Sequence, residues 1–277
     1  MRLLFTLMTL AAAAYGVWWI SSTRPEVKAK VEEVFNVGSF QTLEIRYGAE
    51  QIMQTHKKEL LKDGRHKFLA PSLKFVPYLL LDVKYIHPKN KTKEGVILWD
   101  LSDGEMVIDT KDWEKTHGLG DCIVAGAEVQ EFKIINFLAS RGGRADRQEL
   151  SRALRIDNEL LDAWVESCRR KKLVVQIGND YRLHMAHPRL SSIPVTKLDE
   201  RLVTKPHRNA TRLNRRFSPS QIERLAVAAF GGDFAIRKQT DIFLPVHCIV
   251  VQNPDGSTHV SHWNALNGKR ILSHFID

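Results

Sequence analysis

The chain has 277 residues, of which 43% are hydrophobic and 26% charged, and a formal net charge of +9. This is the make-up of an ordinary folded protein with room for about two domains. The basic balance fits a partner that carries phosphates, as well as an uncommitted basic surface. Cys122, Cys168 and Cys248 are odd in number, widely spaced and free of any CxxC pair, which excludes a disulfide framework, a zinc ribbon and a thioredoxin-type site.

From Leu3 to Ile20 the chain carries no charge, and Trp18 and Trp19 close the run. A helix of that length would reach about 27 Å, close to the thickness of a bilayer core, with indoles at the interface. Residues 1–22 are therefore expected to be a single-pass transmembrane anchor, with the bilayer met through residues 3–20. A signal peptide cut within Ala11–Ala14, giving an exported protein, is the alternative. Cationic residues after the span outnumber those before it, which places the folded part in the cytoplasm. Residues 23–41 are a charged lead-in.

Residues 42–115 open on Arg46-Tyr47, continue in a helical stretch through Gln51 and Ile52, and then read as strands: "FVPYLLLDVKYI" at 75–86, "VILWDL" at 96–101 and "EMVI" after an "SDG" turn. Residues 216–277 follow the same plan. Arg216-Phe217 precedes "SPSQIERLAVAAF", with Ser218 or Ser220 as cap and Pro219 in the first turn. "FLPVHCIVV", "THVSHWNAL" and "KRIL" are strands, with "NG" at 267–268 as a hairpin signal. Laid over each other, the passages match in order: Arg46 with Arg216, Gln51 with Gln221, Pro77 with Pro245, Trp99 with Trp263 and Gly104 with Gly268. We read a duplicated unit, a helix plus a three-stranded antiparallel meander, in which the helix buries the apolar face of a sheet too small to stand alone. The prolines imply edge positions or strand starts, because they cannot donate to a ladder. The tryptophans are packing residues, and the glycines supply positive φ at the turn.

Between the copies, residues 128–186 read as helix, "RGG" stop, second helix "ADRQELSRAL", short turn, third helix "ELLDAWVESCRRKKL", and a hairpin turning at Gly178-Asn179-Asp180. Over 128–185 this pattern, with "ELSRALRIDNELL" at its centre, resembles the winged helix-turn-helix superfamily. The resemblance implies Leu150, Ala153, Leu154, Ile156 and Leu160 or Leu161 as packed positions. Winged helices serve both DNA and protein partners. A groove-reading helix needs basic or amide side chains at its entering end, whereas the third helix offers Asp157, Asn158, Glu159, Asp162 and Glu166. Arg169, Arg170, Lys171 and Lys172 sit at its far end, where they complement the helix dipole. Arg144, Arg147, Arg152, Arg155 and, in the wing, Arg182 are candidates for non-specific backbone contacts.

Residues 187–215 form a basic linker. Its Arg208, Arg212 and Arg215 are candidates for anionic contacts, with acidic lipid headgroups or nucleic acid. No GxSxG, HExxH, Walker loop or GxGxxG is present. The local trio His117, Asp121 and Cys122 in "HGLGDC" reads as a glycine-bearing interdomain loop. His247, His259 and His262 read as strand histidines without a metal. The expected protein is thus α+β: an N-terminal transmembrane helix, then two helix–meander copies flanking a winged-helix domain. Its expected function is non-enzymatic, without cofactor, a membrane-anchored interaction or scaffold protein with an unknown protein partner. A membrane-tethered DNA-binding regulator is the alternative.

Overall fold

The computed structural model describes residues 39–87, 91–185, 187–190, 193–205 and 211–271. The first copy holds β1 (Phe40–Leu43), α1 (Ala49–Thr55), α2 (Lys57–Leu60), β2 (Lys67–Phe68), β3 (Ser72–His87), β4 (Lys91–Asp100), β5 (Met106–Asp109) and β6 (Glu114–Lys115). The middle holds α3 (Leu119–Ala125), α4 (Val129–Ser140), β7 (Arg144–Asp146), α5 (Arg147–Leu154), α6 (Asn158–Arg170), β8 (Val174–Ile177) and β9 (Asp180–Leu183). Then follow β10 (Leu202–Lys205), β11 (Thr211–Arg212), α7 (Pro219–Phe230), β12 (Ala235–Gln252), β13 (Thr258–Asn264) and β14 (Arg270–Ile271). The molecule is mixed α/β, with an eleven-stranded sheet and a separate three-stranded sheet. The described residues from Gln41 to Val203 and from Thr211 to Ile271 make one compact unit.

The spine of the large sheet runs β1-β12-β3-β4-β5-β6. At its centre β3 and β12 are antiparallel, with Phe75 opposite Pro245, Val76 opposite Leu244 and Pro77 opposite Phe243. The two Phe-x-Pro motifs therefore face each other reciprocally, and a pseudo-two-fold axis passes through the Val76–Leu244 pair. Both prolines lie in central strands, which corrects the edge expectation. The Pro77 carbonyl accepts from Leu101 N and that of Pro245 from Ala265 N, each at 3.1 Å. A strand residue turns its nitrogen and carbonyl to the same side, so each ring nitrogen faces a turn and the β3–β12 ladder loses no donor.

The apolar run in β3 is nearly continuous because the sheet is covered on both faces. Leu79, Leu81, Val83 and Tyr85 enter one core with Trp99 and Ile222. Val76, Tyr78 and Leu80 enter another with Leu43, Leu244 and Val246.

The helices do not lie over their own meanders, as expected from the sequence; they are exchanged. Ile52 of α1 packs with Ile249, Val251 and Trp263 of the second copy, while Ile222, Leu225 and Ala226 of α7 join the core around Trp99 of the first. The chain leading into each helix makes the same exchange. Arg46 N and Tyr47 N both donate to the Ala265 carbonyl at 2.9 Å, and Arg216 N and Phe217 N donate to that of Leu101 at 2.8 and 3.0 Å. β1 runs parallel to β12 with Thr42 opposite Phe243, and β11 runs parallel to β3 with Arg212 opposite Phe75. The unit thus begins one strand earlier than its helix. The stretch read as a linker also contributes to the sheet: Thr196 N donates to the Val96 carbonyl at 2.8 Å and Lys197 N to that of Ile108 at 2.9 Å.

The membrane anchor is corrected. Among the described residues no helix is long and apolar enough to cross a membrane; α6, with 13 residues, reaches only about 20 Å. Residues 3–20 and the Ala11–Ala14 cut lie outside the described residues. The transmembrane fold element and the single-pass localisation therefore have no helix among the described residues to carry them.

Candidate functional site

The middle segment is built on α4, whose Phe132, Ile134, Ile135 and Leu138 are buried. Glu128 caps it in a reciprocal capping box with Glu131, satisfying N–H groups that a helix start leaves open. Asp146 caps α5 through Glu149 N at 2.8 Å, and Asp157 caps α6 through Leu160 N at 2.8 Å. β7, β9 and β8 pair in that order. Leu150 and Leu161 are fully buried, with Leu154 and Ile156 partly so. Of the pair Leu160 and Leu161, the second is the packed one and Leu160 is 42% exposed; Ala153, also expected to pack, is exposed.

The outward face of α6 carries Asn158, Glu159, Leu160, Asp162 and Glu166. Many of the candidate cations are engaged with carboxylates. Arg144 Nε donates to Asp180 at 2.7 Å and Arg147 Nε to Asp162 at 2.9 Å. Arg169 pairs with Glu166 at 3.1 Å. Lys171 Nζ donates to Glu131 and to the Gly126 carbonyl, both at 2.9 Å. Burial raises the Glu131 pKa, but the Ser167 and Lys171 hydrogen bonds outweigh it and hold the carboxyl below its ordinary range. Arg152 donates to Gln148 at 3.4 Å, and Arg155 closes α5 at φ 54°. Arg170, Lys172 and Arg182 are exposed, the last opposite Arg144 across β7–β9. Arg212 lies in β11, Arg215 is 3.9 Å from Asp241, and Arg208 is outside the described residues.

A second polar centre went unread in the sequence. The Trp99 turn carries Asp100 and Asp103, and Lys115 of β6 donates to both, to Asp103 at 2.8 Å. Asp100 is 2% exposed. Burial raises its pKa, but the charge and hydrogen bond of Lys115 outweigh that and leave it below the ordinary range. Burial also opposes the Lys115 charge, yet Asp100 outweighs it and raises the ammonium pKa well above normal. Asp103 is pushed up to about 6, first by burial and then by the Asp100 charge. The Tyr78 phenol beside them is raised well above its usual value by burial and by Asp100.

Two residues on, Glu105 accepts from Gly118 N at 2.9 Å, Leu119 N at 3.2 Å, Gly120 N at 3.0 Å and the Thr116 hydroxyl at 2.7 Å. The carboxylate satisfies the open start of α3. Gly120 is needed there, since a Cβ would lie 2.3 Å from the Asp103 carbonyl oxygen. "HGLGDC" is therefore the start of a helix clamped to the Trp99 turn, and not the loop expected. Its Cys122 is fully buried and its thiol pKa is driven up by burial and by Glu105; Cys168 is pushed up to about 12, chiefly by burial. Neither is an activated thiolate. His247 Nε2 meets the Tyr47 carbonyl at 2.9 Å, and burial depresses its pKa. Among the described residues no group of His, Cys, Asp or Glu is arranged to hold a metal.

The signal that could have found the clamp is the difference between copies: Asp100, Asp103 and Glu105 stand where the second copy has Asn264, Asn267 and Lys269. Comparison with family models, curated proteins and solved structures finds no match to this chain.

Proposed function

We propose that the protein is a non-enzymatic interaction protein whose middle segment, residues 128–185, is a winged-helix module used for protein contacts. The order helix, helix, short turn, helix, hairpin supports the resemblance to that superfamily. The observation that carries the protein-contact reading is the exposed face of α6, where Glu159, Leu160 and Asp162 stand at the end that would enter a DNA groove. Carboxylates there would meet phosphates. A 42% exposed leucine between acids suits a basic, amphipathic partner segment instead. The clamp of α3 to the Trp99 turn gives the module a fixed mount, as a scaffold requires. The test is anisotropy of a labelled DNA duplex titrated with the full chain at rising salt. The expected result is no salt-dependent binding by the wild type, with binding gained by a Glu159→Lys/Asp162→Lys variant. Wild-type affinity that falls linearly with log salt would favour the DNA-binding regulator and overturn the reading.

A further inference from the structure

At the far end of the β3–β4 hairpin lies a cavity of about 480 Å³, inside the ~300–1,000 Å³ range that holds small organic ligands. Its lining includes Tyr85, Leu190 and Val195, which are buried or half-buried and form an apolar floor, and the exposed Lys93, Arg189 and Lys197 at its rim. Among the described residues, none that lines it is a carboxylate. The walls are fixed by the backbone. His117 and Arg189 exchange two hydrogen bonds of 2.9 Å, and Thr196 and Lys197 are tied to Val96 and Ile108. Gly95 makes the floor possible: a Cβ there would lie 2.9 Å from Val195 Cγ2, so Val195 seats directly on the strand.

The charges on the rim are not equally engaged. Arg189 pairs with Glu114, and Lys197 stands 3.4 Å from Asp109. Lys93 lies opposite Tyr85 across the two strands and is exposed, with no carboxylate partner among the described residues. Three cations against two paired acids leave one positive charge beside an apolar floor.

We propose that this cavity binds an amphipathic monoanion, an organic carboxylate or similar single anionic group on an apolar body, with Lys93 receiving the headgroup and Tyr85, Leu190 and Val195 the body. This is independent of the α6 reading, because no residue of α6 is among those lining the cavity.

The probe is 8-anilinonaphthalene-1-sulfonate, titrated by fluorescence into the full chain. Lys93→Glu is expected to weaken binding at least about tenfold, and Lys93→Gln to weaken it less because the floor is intact. Lys58→Glu, on exposed α2, leaves binding unchanged. Decanoate is expected to displace the probe and decanol to fail. Unchanged binding in Lys93→Glu, or equal displacement by decanol, would overturn the proposal. Circular dichroism of each variant checks that the fold is retained, and loss of fold in Lys93→Glu transfers the decision to Lys93→Gln and to the decanoate–decanol comparison.

Discussion

The Trp99 and Trp263 turns share one backbone. Gly104 N donates to the Asp100 carbonyl at 3.0 Å and Gly268 N to that of Asn264 at 2.9 Å; Asp100 N and Asn264 N each take a carbonyl five residues on, at 2.9 Å. Their side chains differ. The first turn is acidic, pairs with the half-buried Lys115 and holds the start of α3. The second carries Lys269, which reaches only the exposed Asp112, at 2.6 Å, and its buried Asn264 Nδ2 meets no hydrogen-bond partner among the described residues. The indoles differ as well: Trp99 Nε1 donates to the Gly104 carbonyl at 2.7 Å, Trp263 Nε1 to the Ser261 hydroxyl at 2.9 Å. The tryptophan and glycine set the turn in both copies; the residues between and after them decide what can dock on it. One turn has become a joint for the middle segment, and the other closes the second copy under α1, with the His56 ring tilted 44° against that of Trp263 at a centroid distance of 4.4 Å.

Lys115→Met should break the contrast most strongly. It leaves Asp100 and Asp103 without their cation, at a cost of about 3–5 kcal/mol for a broken buried pair, read as a lower urea midpoint. Gly104→Ala comes next, at about 2–5 kcal/mol. Its φ of +82° disfavours a Cβ, which would also lie 2.9 Å from the Gly120 Cα and the Phe217 ring. Gly268→Ala, with φ +68° and only the movable Tyr47 ring at 3.0 Å, should cost about 1–2 kcal/mol.

A pH titration of stability sharpens the comparison further. Burial and the Asp100 charge raise the Asp103 pKa in the folded state to about 6, from an ordinary carboxylate value of 3.8. Between those values the native state holds the extra proton, so this group adds stability as pH falls from about 6 toward 4 and loses it as pH rises. The wild-type curve minus that of Asp103→Asn should slope in that direction, whereas a flat difference would remove Asp103 as the source. Lys269→Ala, in the second turn, should leave the urea midpoint unmoved, since its pair is exposed.

Much of the framework was legible in the residues. Arg46, Gln51, Pro77, Trp99 and Gly104 matched their counterparts because each has a fixed job: the arginine-aromatic pair bonds a turn, the glutamine follows the helix start, the glycine closes the turn. What self-comparison could not tell is which copy each partner belongs to, since an exchanged and an unexchanged helix leave the same pattern in the sequence. β12 was expected to start at Phe243, but Ala235–Ile242 extends it because those residues pair with β3, a partner far away in sequence. Asp100 read as the end of a strand and Asp103 as a turn former. Only the fold brings Lys115 to them, so the clamp carried no local signature beyond its absence from the second copy.

The reciprocal exchange is tested most directly by two double-mutant cycles in urea. Ile52→Ala combined with Trp263→Phe pairs residues of one shared core, and Ile52→Ala combined with Trp99→Phe pairs residues of different cores. The exchange predicts a coupling of about 0.5–3 kcal/mol in the first cycle and additivity within about 0.5 kcal/mol in the second. Coupling of Ile52 to Trp99, with additivity toward Trp263, would mean that each helix covers its own meander and would contradict the account.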